Sequence, residues 1–159
     1  MKLPRPSGSE PRNLELELPA VHAAVRQARQ VVRVFARMSG MPDREVETLV
    51  LVTSELLGNA VDHGGGGSAM DESELVSQVR MGLRLVIAGL SWRLDVADQG
   101  GGDPGEVRAL LEPEGLPDLE DERGRGFFLM AQMVDRMEVQ PSEDGKGLQI
   151  SAVHEYGVA

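Results

Sequence analysis

The chain has 159 residues, no cysteine and a net charge of −10, with sixteen Lys and Arg against twenty-six Asp and Glu. That length corresponds to about one domain, and 41% hydrophobic residues suffice for one core but not two. The acidity argues against gripping nucleic-acid phosphates, the missing cysteines exclude disulfides and thiolate chemistry, and no apolar run approaches the ~18–20 residues that cross a bilayer.

Residues 1–12 contain three prolines with Ser and Gly and read as a loose tail. Their composition lacks the apolar middle of a secretory signal, so a cytoplasmic protein is expected. A single domain then covers 13–159. Asn13 to Leu18 alternates apolar and charged residues, the period of a half-buried strand. After Pro19 a helix is expected from about Ala20 to Met38, closed by Ser39-Gly40. A second helix starts near Pro42-Asp43 and runs to His63, where Gly64 to Gly67 stop it. Ser68 to Gln78 reads as an acidic insertion. Met81–Ala88 and Trp92–Ala97 form two strands around a tight turn at Gly89-Leu90-Ser91. Gly100 to Arg123 is rich in glycine, proline and acids and reads as a lid or binding loop, with one helical stretch near Glu106 to Leu111. A further helix is expected after Gly126, and the C-terminal segment reads as a hairpin.

The second helix holds the first chemical candidates. Val46, Leu49, Val50, Leu56, Leu57, Ala60 and Val61 make its apolar stripe. At ~100° per residue, Glu55 and Asn59 lie opposite that stripe and close together in angle. Asn59 offers a neutral oxygen suited to magnesium, and Glu55 offers a carboxylate suited to taking a proton from an attacking hydroxyl. Taken alone, the pair is also what an ordinary solvated helix face carries.

Asp98 closes the buried strand WRLDVAD and can accept a hydrogen bond from a purine amine while repelling guanine's oxygen. Gly100 and Gly102 behind it would let backbone approach a base; a plain glycine-rich turn is the alternative. Gly100 to Gly105 also satisfies G-x-G-x-x-G, but neither the preceding first strand nor a following parallel strand of a dinucleotide fold is present. Arg123-Gly124-Arg125-Gly126 precedes an apolar helix, an arrangement that exposes backbone N–H groups and a positive dipole end to phosphates. The histidines, His22, His63 and His154, lack metal-ligand spacing.

Those three segments in this order carry a resemblance. ELLGNAVDHG, DVADQGGG and RGRGFFLMAQMVDRMEV resemble the N, G1 and G2 boxes of the GHKL superfamily, which includes gyrase, heat-shock chaperone, histidine kinase and MutL ATPases. Over residues 13–155 the chain looks most like stand-alone bacterial anti-sigma factor serine kinases. The resemblance implies an α+β two-layer sandwich of Bergerat type, with helices on one face of a mixed, mainly antiparallel sheet. It implies ATP and Mg2+ beneath a lid spanning about 100–123. It also implies phosphorylation of a STAS-domain anti-anti-sigma protein, sequestration of a sigma factor and a homodimer, with no contact to nucleic acid or membrane. By position, Glu55 becomes the base, Asn59 the magnesium ligand and Asp98 the adenine reader. Gly100 and Gly102 line the base, and Gly124, Arg125 and Gly126 wrap the phosphates. Gly147-Leu148 stands where the family carries a threonine, and Gly58 where it carries a polar residue. A chain of this fold that binds partners without transferring phosphate is the alternative.

The first helix adds a charged ridge. Arg26, Arg29, Arg33 and Arg37 fall at i, i+3, i+7 and i+11, and no acid lies between Ala20 and Met41. Such alignment suits bidentate pairing with an acidic partner, although an ordinary solvated face is equally compatible. The family uses an arginine of this helix to touch both alternative partners, and Arg29 fits that position best.

Overall fold

The alternating strand expected from Asn13 forms and extends one residue at each end, as β1 (Arg12–Pro19). In this computed structural model, which describes residues 10–63, 79–100, 103–111, 120–145 and 147–157, eight further elements follow it. They are α1 (His22–Met38), α2 (Asp43–His63), β2 (Arg80–Ala88), β3 (Ser91–Ala97), α3 (Pro104–Leu111), α4 (Glu122–Met133), β4 (Arg136–Pro141) and β5 (Leu148–Glu155). Most of the N-terminal tail, the glycines after His63, the acidic insertion, Gly102 and the lid segment 112–119 lie outside the described residues.

The strands pair in the order β1-β2-β3-β5-β4, and each pairing is antiparallel. The two-layer α+β arrangement is present, and among the described residues its sheet is antiparallel throughout. Local turns favour this. Gly89 adopts a φ of 59° between β2 and β3, and Gly145 a φ of 71° between β4 and β5. Period-two patterning then sorts side chains between the faces. Met81, Leu83, Leu85, Ile87, Trp92, Leu94, Val96 and Ile150 are buried in one core with the apolar stripes of α1 and α2. The other face carries the polar row Glu15, Arg84, Asp95 and Ser151, aligned by register.

The seven stripe residues expected on α2 are all buried, joined by Val52 and Thr53. Thr53 Oγ1 donates to Leu49 O at 2.8 Å, so its hydroxyl is satisfied inside the core. Trp92 Nε1 donates to Glu45 Oε1 at 2.7 Å and ties the start of α2 to the sheet. At the end of α1, Gly40 turns with a φ of 84°. There the Arg12 guanidinium donates to Met38 O at 2.8 Å, a cation against the negative helix end.

One boundary differs from the sequence expectation by more than two residues. The last helix begins at Glu122, five residues before the expected start after Gly126. Asp121 caps it, accepting from Arg123 N at 3.1 Å. Gly124, Arg125 and Gly126 therefore lie within its first turns rather than in a loop ahead of it. A satisfied cap outweighs the modest helix cost of two glycines, about 1 kcal/mol each relative to Ala.

Candidate functional site

The outer face of α2 and the N-terminal half of α4 enclose, with the start of α1, a cavity of about 400 Å³. Helical period explains its walls. Glu55 and Asn59 share one face of α2 with Gly58 and Asp62 on the adjoining rows. On α4, Arg123, Gly126, Phe127 and Met130 fall at i, i+3, i+4 and i+7 and turn inward together. The two helices approach so closely here that a Cβ on Gly126 would lie 3.0 Å from Glu55 Oε2. No Cβ would meet anything within 4 Å at Gly58, so that glycine faces open space.

Arg123 spans the cavity. Its Nε donates to Asn59 Oδ1 at 2.8 Å, and its guanidinium carbon lies 5.8 Å from the centroid of the Phe127 ring. Desolvation by burial draws Arg123 below its ordinary pKa, opposed by the charges of Asp98, Glu106 and Asp121. His63, at the end of α2, is also held below its ordinary value. Desolvation is the larger cause and the Arg123 charge the next, against Asp62 and Asp121.

Asp98 is buried and rigidly held at the end of β3. Its Oδ1 accepts from Gly100 N at 3.0 Å and Leu148 N at 3.1 Å, and its own N donates to Leu148 O at 2.9 Å. Gly147 packs directly against the Asp98 carbonyl and carboxylate, leaving no room for a Cβ. At the position where the resemblance expects a threonine, Leu148 thus presents its backbone N–H to Asp98 and buries an apolar side chain. Among the described residues Oδ2 of Asp98 makes no hydrogen bond, which leaves one carboxylate oxygen for an amine donor.

The structure brings Glu55, Asn59, Gly126, Arg26 and Arg29 to one cavity. Asp98 and Gly100 do not line that cavity, although the Asp98 charge acts on Arg123. Gly124 is buried within α4 and Arg125 is exposed, neither facing the cavity. Arg33 lies outside it, bonded to Glu47 Oε1 at 3.3 Å. Gly102 lies outside the described residues. Sequence reasoning named Arg123 and Arg125 together as candidates for charge-assisted phosphate contacts and carried only Arg125 into the site, and it passed over His22 and Asp62. The phase of α4, with its start at Glu122, would have separated Arg123 from Arg125. His22 and Asp62 pair across helices at 3.0 Å, a contact between positions forty residues apart.

The donor set fits a magnesium–nucleotide complex. An amide oxygen has two lone pairs, so Asn59 can serve a metal beside Arg123. Gly126, lacking a side chain, leaves the Glu55 carboxylate accessible. Among the described residues no cluster of three or more His, Asp or Glu could hold a metal without other ligands, so oxygens from a phosphate would have to complete any coordination. No helix among them is long and apolar enough to cross a membrane.

Comparison with known proteins agrees with this arrangement. No curated protein matches the chain significantly in sequence. A chain of the SiaB–SiaC complex from Pseudomonas aeruginosa superposes with a TM-score of 0.65 at 16% identity, over 88% of either chain. The RsbU and RsbW domains of Rv1364c from Mycobacterium tuberculosis give 0.60 at 19% identity, covering 91% of this chain and 32% of that one. The chain therefore spans about a third of the latter protein's length, and at these identities the likeness is one of fold. Residues 18–152, from the end of β1 to β5, match the family of histidine kinase-like ATPase domains, and the chain belongs to that family.

Proposed function

We propose that the chain is an anti-sigma factor and an ATP-dependent protein serine kinase. It sequesters a sigma factor and phosphorylates a STAS-domain antagonist, so that partner switching sets how much sigma factor is free. The observation that carries this reading is the placement of Glu55 and Asn59 one turn apart on α2, facing Gly126 of α4 across a cavity rimmed by Arg26 and Arg29. Membership of the ATPase family supports the nucleotide. A solved relative of this fold captured in complex with a second protein, SiaC, supports a protein partner.

When bound, Mg-ATP supplies the terminal phosphoryl group and a metal charge to offset it. Asp98 accepts the adenine amine through Oδ2 and rejects the carbonyl oxygen of guanine. Gly100 and Gly102 let the backbone close on the base. Asn59 gives its amide oxygen to magnesium, while Gly126, the one of the three expected phosphate-wrapping residues that lines the cavity, lets the start of α4 approach the phosphates. Glu55 orients the serine hydroxyl and takes its proton as the oxygen attacks phosphorus. Arg26, Arg29 and Arg33 meet acidic groups of the two protein partners, with Arg29 central. The protein works as a cytoplasmic homodimer, without contact to nucleic acid or membrane.

Incubation of the full chain with Mg-ATP and the STAS protein, followed by intact mass measurement, tests this. One phosphoryl mass on the STAS protein, lost in Glu55→Ala, is the expected result. A second reading, partner binding without transfer, is favoured by the Arg123 bond to Asn59 Oδ1, which engages the proposed metal ligand. Sigma binding that persists while no phosphoryl mass ever forms would decide for it.

A further inference from the structure

Two of the four arginines along α1 are paired with acids and two are not. Arg33 bonds Glu47 at 3.3 Å and Gln30 at 3.1 Å, and Arg37 stands 4.0 Å from Asp43. Among the described residues no acid pairs with Arg26 or Arg29, and these two line the cavity that holds Glu55 and Asn59. Arg29 is half-buried, and its Nε is enclosed without a hydrogen-bond partner. An enclosed guanidinium N–H without an acceptor carries a desolvation cost. In a chain with a net charge of −10, acids to pair it are abundant elsewhere. Unmet, fork-shaped donors on a cavity wall are complementary to an oxyanion with several acceptor oxygens.

We propose that Arg29, assisted by Arg26 one turn earlier, binds the terminal phosphoryl group of the nucleotide and carries its charge during transfer. This rests on the kinase reading above and goes beyond a role for these arginines in partner docking. The location is what points to a phosphoryl group in addition to the acidic groups of a partner. Arg29 and Arg26 line the cavity that contains the proton acceptor and the metal ligand, whereas Arg33, outside that cavity, already has its acid. In the transfer, the serine Oγ forms a bond to the terminal phosphorus as Glu55 takes the hydroxyl proton. The bond from that phosphorus to the bridging oxygen breaks, and ADP departs with the electron pair. Arg29 stays within hydrogen-bond reach of the equatorial oxygens throughout, the role an arginine supplied in cis plays in other phosphoryl transfers.

Calorimetric titration of the full chain with Mg2+ and either ADP or the β,γ-imido analogue of ATP tests this without turnover. The wild type is expected to prefer the imido analogue by about tenfold or more, the worth of a charge-assisted bond. Arg29→Ala is expected to bind ADP as the wild type does and to lose the preference. Arg29→Lys should restore it only in part, since an ammonium cannot make the forked contact. Unchanged thermal melts establish that both variants are folded. A preference undiminished in Arg29→Ala, or absent from the wild type while ADP binds, overturns the assignment. Failure of the wild type to bind ADP at all overturns the nucleotide reading itself, and this inference with it.

Discussion

Arg123 donates its Nε–H to Asn59 Oδ1 at 2.8 Å, joining the start of α4 to the outer face of α2 across the cavity. The amide oxygen assigned to magnesium is therefore shared with a guanidinium. If Asn59 ligates the metal, Asn59→Ala should abolish the tightening of ADP binding by Mg2+, about tenfold in the wild type on the scale of one charge-assisted contact. Titrations with and without Mg2+ measure this. A Mg2+ effect of wild-type size in the variant would remove Asn59 from the metal.

Gly147 touches Asp98 where no Cβ fits. Gly147→Ala is expected to lose about 1–3 kcal/mol of stability, the usual cost of overpacking, and to lose ADP binding because Asp98 must move. Asp98→Asn should keep the fold and weaken ADP at least tenfold by replacing a charged acceptor. Urea unfolding and calorimetry separate the two effects. Normal ADP affinity in both variants would dissociate Asp98 from the base.

Two helical glycines on the cavity wall should respond oppositely to alanine. Gly58 faces open space, so Gly58→Ala should gain about 0.5–1 kcal/mol and raise Tm by about 1–4 °C. At Gly126 a Cβ would meet Glu55 Oε2 at 3.0 Å. Gly126→Ala should leave Tm nearly unchanged yet slow phosphoryl transfer by about a hundredfold, the scale of an ångström of misplacement. Paired melting curves and rates test the contrast; equal rates would mean that the Glu55 position is unimportant.

Glu45 accepts from the buried Trp92 Nε1 at 2.7 Å. Glu45→Ala leaves that donor unsatisfied and should cost about 1–3 kcal/mol. Trp92 is the sole tryptophan, so its fluorescence reports unfolding and the change in its surroundings together. A midpoint equal to wild type would show that water replaces the carboxylate without loss.

His63 sets a small pH dependence. Its imidazole titrates near 6.5 when unfolded and lower when folded, by desolvation first and the Arg123 charge second. Between those values the unfolded chain binds more protons. Its contribution is thus full above the unfolded value and lost as pH falls toward the folded one. His63→Gln should flatten the urea midpoint across that window. Because the side chain is largely exposed the slope is shallow, and an identical slope in the variant would assign it to other groups.

Much of this molecule is legible in one dimension because the signals are local. Alternation in NLELEL, the apolar stripe of α2 and the glycines at 40, 89 and 145 report period and turn geometry directly. The helix-phase argument that set Glu55 beside Asn59 needs only the angle per residue. The start of α4 was misjudged because two glycines suggested a loop, while the Asp121 cap ahead of them decided otherwise.

The sequence by itself determined the periodicities, the single core, the acidic charge and the order of the three glycine- and acid-bearing segments, since each depends on neighbours a few positions apart. Tertiary structure alone decided which arginines of α1 line the cavity. Arg33 is satisfied by Glu47, fourteen positions away, while Arg29, with no acid paired to it among the described residues, lines the cavity with Glu55. It also decided that Gly147 must be a glycine, because Asp98 reaches it from another strand. Pairing, enclosure and collision are properties of distance in space, and distances between remote segments exist only once the helices have packed on the sheet.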